Sequence, residues 1–238
     1  MKLSFTDDRV LAVMAHPDDA ELLCAGTLAR AKADGAAIAI CVMCRGDKGA
    51  GSSTGAVDLG AIRREEAEAA AKVLGAELYW QDHADGQLFD TYANRLKLVA
   101  TYRRFRPTLV IAHAPEDYHP DHRAGSVLAE SASWFAASRG HVTEGLDPLA
   151  APPSLWWADT VNMSGSEPAF YVDVTAQMEM KTRMLECHRS QLQRAADGDF
   201  APLKGLMTRQ MEARGAQAGV AAAEGFRPHP VFKRLRAW

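Results

Sequence analysis

RVLAVMAHPDDAE, residues 9–21, decides the fold. Arg9 to Met14 is a short apolar run of strand length, and it stops abruptly at His16, Pro17, Asp18 and Asp19. An unbroken apolar run bounded by breakers is the pattern of a strand buried on both faces, as in a parallel sheet. Histidine, proline and paired carboxylates are poor strand formers and costly to bury. Their place at the end of a buried strand marks either a charged surface turn or a site.

Working outward, the same alternation repeats. Residues 20–35 carry Leu22, Leu23, Gly26, Leu28 and Ala29 at helical steps and stop at Gly35, which predicts one helix. AAIAICVMC (36–44) reads as the second strand, and the Gly- and Ser-rich stretch 45–60 as a loop. AIRREEAEAAAKVLG (61–75) is a helix, ELYW (77–80) a third strand, and residues 91–106 a helix ended by Pro107. TLVIAHA (108–114) is the fourth strand, followed by a loop and a helix over 121–138. SLWWADTV (154–161) and AFYVDV (169–174) are later strands. Residues 174–194 form a helix, and the tail is a Gly- and Ala-rich helical segment with a short Pro-containing end.

Strand–helix alternation predicts an α/β, Rossmann-like domain, mainly parallel, with helices on both faces of the sheet. No repeat or linker divides the chain, so residues 1–238 are expected to form a single domain. A strand order of 3-2-1-4 places the switch of winding between strands one and four. Ligands bind there, at the carboxyl ends of the strands. The histidine–acid cluster DYHPDH (Asp117 to His122) follows strand four, so two distant clusters are expected to meet at that switch.

Bulk properties narrow the function. The net charge is −3, which offers no basic patch for nucleic acid, and no run approaches the roughly 20 apolar residues of a membrane span. No signal peptide is expected in the N-terminal residues, and the location expected is the cytoplasm. Cys41 and Cys44 form a CxxC, but three residues apart on a strand they are expected to face opposite ways, as buried free thiols.

His16, Asp19 and His122 offer two imidazoles and a carboxylate, a donor set that suits a catalytic zinc with an open position. The same set suits Fe2+ or another divalent transition metal. Asp18 is the neighbouring carboxylate left over as general base. His119 can donate a proton to a leaving amine or stabilise an oxyanion. Asp121 can hydrogen-bond a histidine and keep it protonated, or orient a ligating one. The plainer alternative makes Asp18, Asp19 and Asp121 helix caps. Arg63 on its own reads as an ion-pair partner of Glu66 or Glu68. Trp156 and Trp157 read as packing residues, and His113 as a core or supporting histidine. The loop 45–60 lacks the order of a phosphate-binding loop and reads as a rim of the site. His83, His188 and His229 carry no independent signal.

AHPDDAE, then DYHPDHRA after a strand, resembles the PIG-L/LmbE-like family of zinc-dependent deacetylases. Arg63 and Glu66 fit its RxxE helix, Asp85-Gly86 its DG, residues 188–191 its HxSQ and residues 223–226 its AEGF, so the likeness covers most of the chain. The resemblance implies metal ligands His16, Asp19 and His122, the base Asp18, and His119 as acid or oxyanion group tuned by Asp121. It implies Arg63 and Asp85 as contacts to the sugar. Asp117 departs from the pattern, because some members carry a tyrosine there, and Tyr118 sits one residue on without an assigned role. The implied activity is removal of an N-acetyl group from an N-acetylglucosamine-type amino sugar or glycoconjugate. The implied assembly is a homo-oligomer, with a hexamer as one form. The alternatives are hydrolysis of another small N-acyl or thiol-conjugate amide, hydration of a double bond, or a non-enzymatic metal scaffold. The spare carboxylate of Asp18 speaks against the scaffold.

Overall fold

The computed structural model describes residues 4–49, 58–193 and 202–231. Its strands are β1 (Arg9–Met14), β2 (Ala37–Cys44), β3 (Glu77–His83), β4 (Leu109–Ala112), β5 (Ser154–Ala158), β6 (Phe170–Asp173) and β7 (Ala223–Pro228). They form one sheet in the order β3-β2-β1-β4-β5-β7-β6. The first five are mutually parallel, while β7 runs antiparallel to both β5 and β6. The expected 3-2-1-4 order and its switch point between β1 and β4 are therefore present.

Strand alternation splits the core into two layers. Val10, Ala12 and Met14 face a layer shared with Leu22, Leu28, Met184 and Met207. These come from α1 (Asp19–Leu23), α2 (Ala25–Ala33), α6 (Met178–Leu185) and α8 (Leu203–Ala218). Ala70 and Leu74 of α3 (Leu59–Leu74) join the same layer. Leu11 and Val13 face the other layer, built on α4 (Tyr92–Phe105) and α5 (Pro120–Phe135). Trp156 and Trp157 are both buried, one in each layer. No helix among the described residues is long and apolar enough to cross a membrane.

Three local expectations are corrected. The single helix over 20–35 is broken at Cys24, where the backbone turns to φ −147°. The break is imposed from outside. The carboxylate of Glu224, on β7, accepts the Gly26 and Thr27 amides at 2.9 and 2.7 Å and the Thr27 hydroxyl at 2.6 Å. Lys181 of α6, fully buried, donates to Glu224 at 2.5 Å and to the Leu22 carbonyl at 2.9 Å. Gly26 leaves room for this clasp, since a Cβ there would lie 2.8 Å from Val174. Second, Cys41 and Cys44 share one face of the sheet, because a bulge between Val42 and Cys44 shifts the register; both are buried and free. Third, the Pro-containing tail includes β7, and the expected helix over 174–194 is split into a 3-10 turn, α6 and the short α7 (Arg189–Leu192).

Candidate metal centre and active site

β1 ends at Met14 and delivers His16; β4 ends at Ala112 and delivers His113, then the loop to α5. His119 is the N-cap of α5, with Pro120 at the first helical position, where its missing N–H costs nothing. Neither Asp18 nor Asp121 takes the capping role that the plainer sequence reading offered them. Asp18 sits at the N-cap of α1 without a side-chain cap bond, and the cap of α5 is the His119 ring, which accepts the Asp121 amide at 3.2 Å.

The two clusters meet. His16 Nδ1 lies 3.3 Å from His122 Nε2 and 3.4 Å from Asp19 Oδ2, and His122 Nε2 lies 3.4 Å from the same oxygen. The triangle is nearly equilateral. Bonds of about 2.0–2.1 Å in tetrahedral geometry set ligand atoms about 3.3–3.4 Å apart, so these three donors fit three corners around one divalent ion. The outer nitrogens are also held. His16 Nε2 is 3.1 Å from Asp121 Oδ2, which also accepts the Gly86 amide at 2.8 Å. His122 Nδ1 is 3.1 Å from Asp117 Oδ1. A carboxylate thus stands behind each imidazole, hydrogen-bonded to His16 and in ion-pair contact with His122, an arrangement that raises a ligating ring's basicity.

Charge follows the geometry. Burial works against a charged His16, yet the Asp121 and Asp19 carboxylates outweigh it and push the ring up to about 10. Burial is likewise overcome at His122 by Asp19 and Asp117, which raise it to about 9. Burial would raise Asp19, but His122 and His113 hold it well below the ordinary carboxylate range. Asp18 moves the other way: removal from water and the adjacent Asp19 charge push it up to about 7, against the pull of His188 and Arg63. Its backbone stands at φ +98°, a left-handed conformation that costs a non-glycine residue about 1–3 kcal/mol and that clusters at functional sites.

Other expected site residues fall as follows. Asp121 hydrogen-bonds His16, the orienting role left open for it, while the resemblance implied a partnership with His119, whose ring instead accepts the Asp121 amide. Asp85 accepts the Gly46 and Lys48 amides at 2.8 and 3.1 Å and so holds the rim loop, 4.0 Å from His16 Nε2. Arg63 is buried and donates to the Gly49 carbonyl at 3.0 Å; a Cβ at Gly46 or Gly49 would overlap its guanidinium. The i, i+4 pair on α3 is Arg64 with Glu68, while Glu66 accepts the amide and hydroxyl of Ser190, both at 2.7 Å. Residues 50–57 of the loop read as a rim lie outside the described residues. Asp18, Arg63, Asp85 and His119 line one cavity of about 510 Å3 together with the three converging donors.

One residue escaped sequence reasoning, and one read as a core or supporting histidine takes the supporting place. Asp117, noted only as a departure from a pattern, is the carboxylate behind His122 and also accepts the His119 amide at 2.9 Å. Its signal was a second acid inside the second cluster. His113 stacks on His122 at 3.8 Å and accepts the Ala15 amide at 2.9 Å; burial and the His122 charge push it down to about 4, so it supports the site as a neutral ring.

The family described as PIG-L, GlcNAc-PI de-N-acetylase, matches residues 11–133, more than half of the chain and a span that holds both histidine–acid clusters. A diacetylchitobiose deacetylase of Thermococcus kodakarensis is 28% identical over 194 residues, which cover 77% of this chain and 70% of that protein. The solved structure of an N,N'-diacetylchitobiose deacetylase from Pyrococcus horikoshii matches with a TM-score of 0.82 at 27% identity, covering 98% of this chain and 89% of its own. That of a 4-carboxy-2-hydroxymuconate hydratase from Pseudomonas putida KT2440 matches with a TM-score of 0.82 at 25% identity, covering 97% and 99%. The chain belongs to the PIG-L family of GlcNAc-PI de-N-acetylase-like proteins.

Proposed function

We propose that this protein is a metal-dependent amide hydrolase that removes the acetyl group from an N-acetylglucosamine-type amino sugar or glycoconjugate. The observation that carries the reading is the triangle of His16, Asp19 and His122 donor atoms beside a carboxylate, Asp18, that none of them needs. Zinc suits the donor set, and Fe2+ is compatible with it. An ion held there supplies a Lewis acid and lowers the pKa of a bound water.

The chain's own groups do the rest. Asp18, raised to about 7, takes a proton from the attacking water as its oxygen bonds to the carbonyl carbon. His119 accepts the Asp121 amide at Nδ1, so its neutral form carries its proton on Nε2, free to donate to the oxyanion. The C–N bond then breaks, the nitrogen takes the proton held by Asp18, and acetate and a free amine leave. Arg63 and Asp85 fix the rim on the polar side, where sugar hydroxyls are bound.

The test is acetate release from a panel of N-acetyl sugars by protein purified without added metal, with metal content measured alongside. Asp18→Asn should retain the metal and lose about 100- to 10,000-fold in turnover. Near wild-type turnover in that variant would remove Asp18 from its role. The structural likeness to a hydratase favours a second reading, hydration of an unsaturated carboxylate at the same site. Hydration of such a substrate, with no acetate from any N-acetyl sugar, would select it. The four free cysteines support a reducing, cytoplasmic location, and the exposed Val127 and Trp134 on α5 support a homo-oligomer.

A further inference from the structure

A continuous chain of hydrogen bonds runs from the rim of the cavity to His16, and Asp47 stands at its outer end. The middle of the chain is a tight turn over residues 84–87. The Gln87 amide closes it on the Ala84 carbonyl at 3.1 Å, and Gly86 takes φ +73° at its third position. A Cβ at Gly86 would meet nothing within 4 Å, so glycine serves there for its backbone angle and not for space. The two central amides of the turn are held by different carboxylates. The Asp85 amide donates to Asp47 Oδ1 at 2.9 Å, and the Gly86 amide donates to Asp121 Oδ2 at 2.8 Å. Asp121 Oδ2 is the oxygen that lies 3.1 Å from His16 Nε2. The clasp at the rim is reciprocal, because the Asp85 carboxylate accepts the Gly46 and Lys48 amides on either side of Asp47. Lys48 and Gly49 in turn line the cavity.

Adjacent amides of one closed turn cannot be re-aimed independently. An Asp85 amide without its acceptor leaves the turn free to tilt, which draws the Gly86 amide away from Asp121. His16 then faces a carboxylate that nothing else holds in direction. The charge of Asp47 has other partners, since its Oδ2 lies 3.2 Å from Lys48 and 3.7 Å from Arg45. Acceptor and charge are therefore separable by substitution. Resting on the metal-centre reading above, we infer that Asp47 is a positioning residue of that centre: by holding the 84–87 turn it sets Asp121 against His16 and couples the sugar-side rim to a metal ligand. The coupling is reciprocal, so an ion on His16 steadies the rim as the rim steadies the ion.

Zinc affinity, measured by chelator competition on stripped and reloaded protein, tests it. Asp47→Ala and Asp47→Asn remove the same charge, but only asparagine keeps an oxygen for the Asp85 amide. The alanine variant should lose about 5- to 10-fold in affinity, at or below the low end of the loss typical when the carboxylate behind a ligating histidine is itself removed. The asparagine variant should stay within about twofold of the parent, as should Lys48→Ala, which removes an ion-pair partner and leaves the backbone clasp intact. Gly86→Val, disfavoured at positive φ, breaks the turn from its other end and should match Asp47→Ala. Hydrogen exchange gives a second measure: zinc should slow exchange of the Gly46, Lys48 and Gly86 amides in the parent and not in Asp47→Ala. Equal affinities for the alanine and asparagine variants overturn the inference, as does rim exchange in the parent that is indifferent to zinc. A parent that binds no zinc removes the metal-centre reading itself. A parent that binds zinc, with Asp47→Ala equal to it, removes only the role of Asp47.

Discussion

Asp117 offers a test of the metal centre that leaves every proposed ligand residue in place. Its Oδ1 does two jobs: it lies 3.1 Å from His122 Nδ1 and accepts the His119 amide at 2.9 Å. Asp117→Asn keeps an oxygen that can serve both partners and removes only the charge. Asp117→Ala removes the acceptor as well, freeing the His122 ring to turn and the α5 entry to loosen. Loss of a carboxylate behind a ligating histidine typically costs about 10- to 100-fold in metal affinity, or about 1.4 to 2.7 kcal/mol. The asparagine variant should fall near the lower figure and the alanine variant near the upper one. Competition for zinc against a fluorescent chelator measures both on protein stripped and reloaded. If Asp117→Ala binds zinc within twofold of the parent, His122 does not depend on Asp117 and the proposed ligand triangle loses its support.

Other consequences can be checked together. Lys181→Met leaves the buried Glu224 carboxylate without its counter-charge and should cost about 3–5 kcal/mol in urea unfolding, while Lys181→Met with Glu224→Gln should cost less than the sum of the single changes. Gly26→Ala, which sets a methyl 2.8 Å from Val174, should cost about 1–3 kcal/mol by the same assay, and an unchanged midpoint would contradict the close packing at the helix break. Zinc loading near pH 7 should release about two protons, because His16 and His122 are raised to about 10 and about 9 and a ligand must be deprotonated; calorimetry in buffers of different ionisation enthalpy counts them. The sign for stability follows from the same shifts. The metal-free fold binds more protons than the unfolded chain, so this contribution is full below the ordinary histidine value of 6.5 and is lost as pH rises through about 9 to 10. A metal-free protein equally stable at pH 6 and pH 10 would contradict it.

Much of this was legible in the residues, for reasons that differ by level. The strand order followed from apolar runs alternating with helical periods, and the meeting of His16 with His122 followed from the switch point. What failed was set by partners far away in sequence. Residues 20–35 have helical periodicity throughout, and only the carboxylate of Glu224, about two hundred positions on, interrupts them at Cys24. Strand β7 was missed because AEGFRP contains glutamate, glycine and proline, all poor strand formers, and its glutamate is spent on α2 rather than on solvent. The faces of Cys41 and Cys44 were misjudged because a bulge is invisible to a period-two count. Of the two roles the residues left open for Asp121, the contact with His16 matches the orienting of a ligating histidine; which ring it would meet could not be read from spacing along α5.

The Glu224–Lys181 clasp also bears on how the protein is made. It joins partners separated by 198 residues, so the turn that presents Asp18 and Asp19 stays without its final anchor until almost the whole described chain has left the ribosome. All three proposed ligands are synthesised by residue 122, yet the anchor of the helix that begins at Asp19 comes from the last strand. A nascent chain halted before Ala223 would carry every donor and lack the frame that aligns them. The proposed metal would then be taken up late in biogenesis, on completion of the chain rather than on the appearance of its histidines.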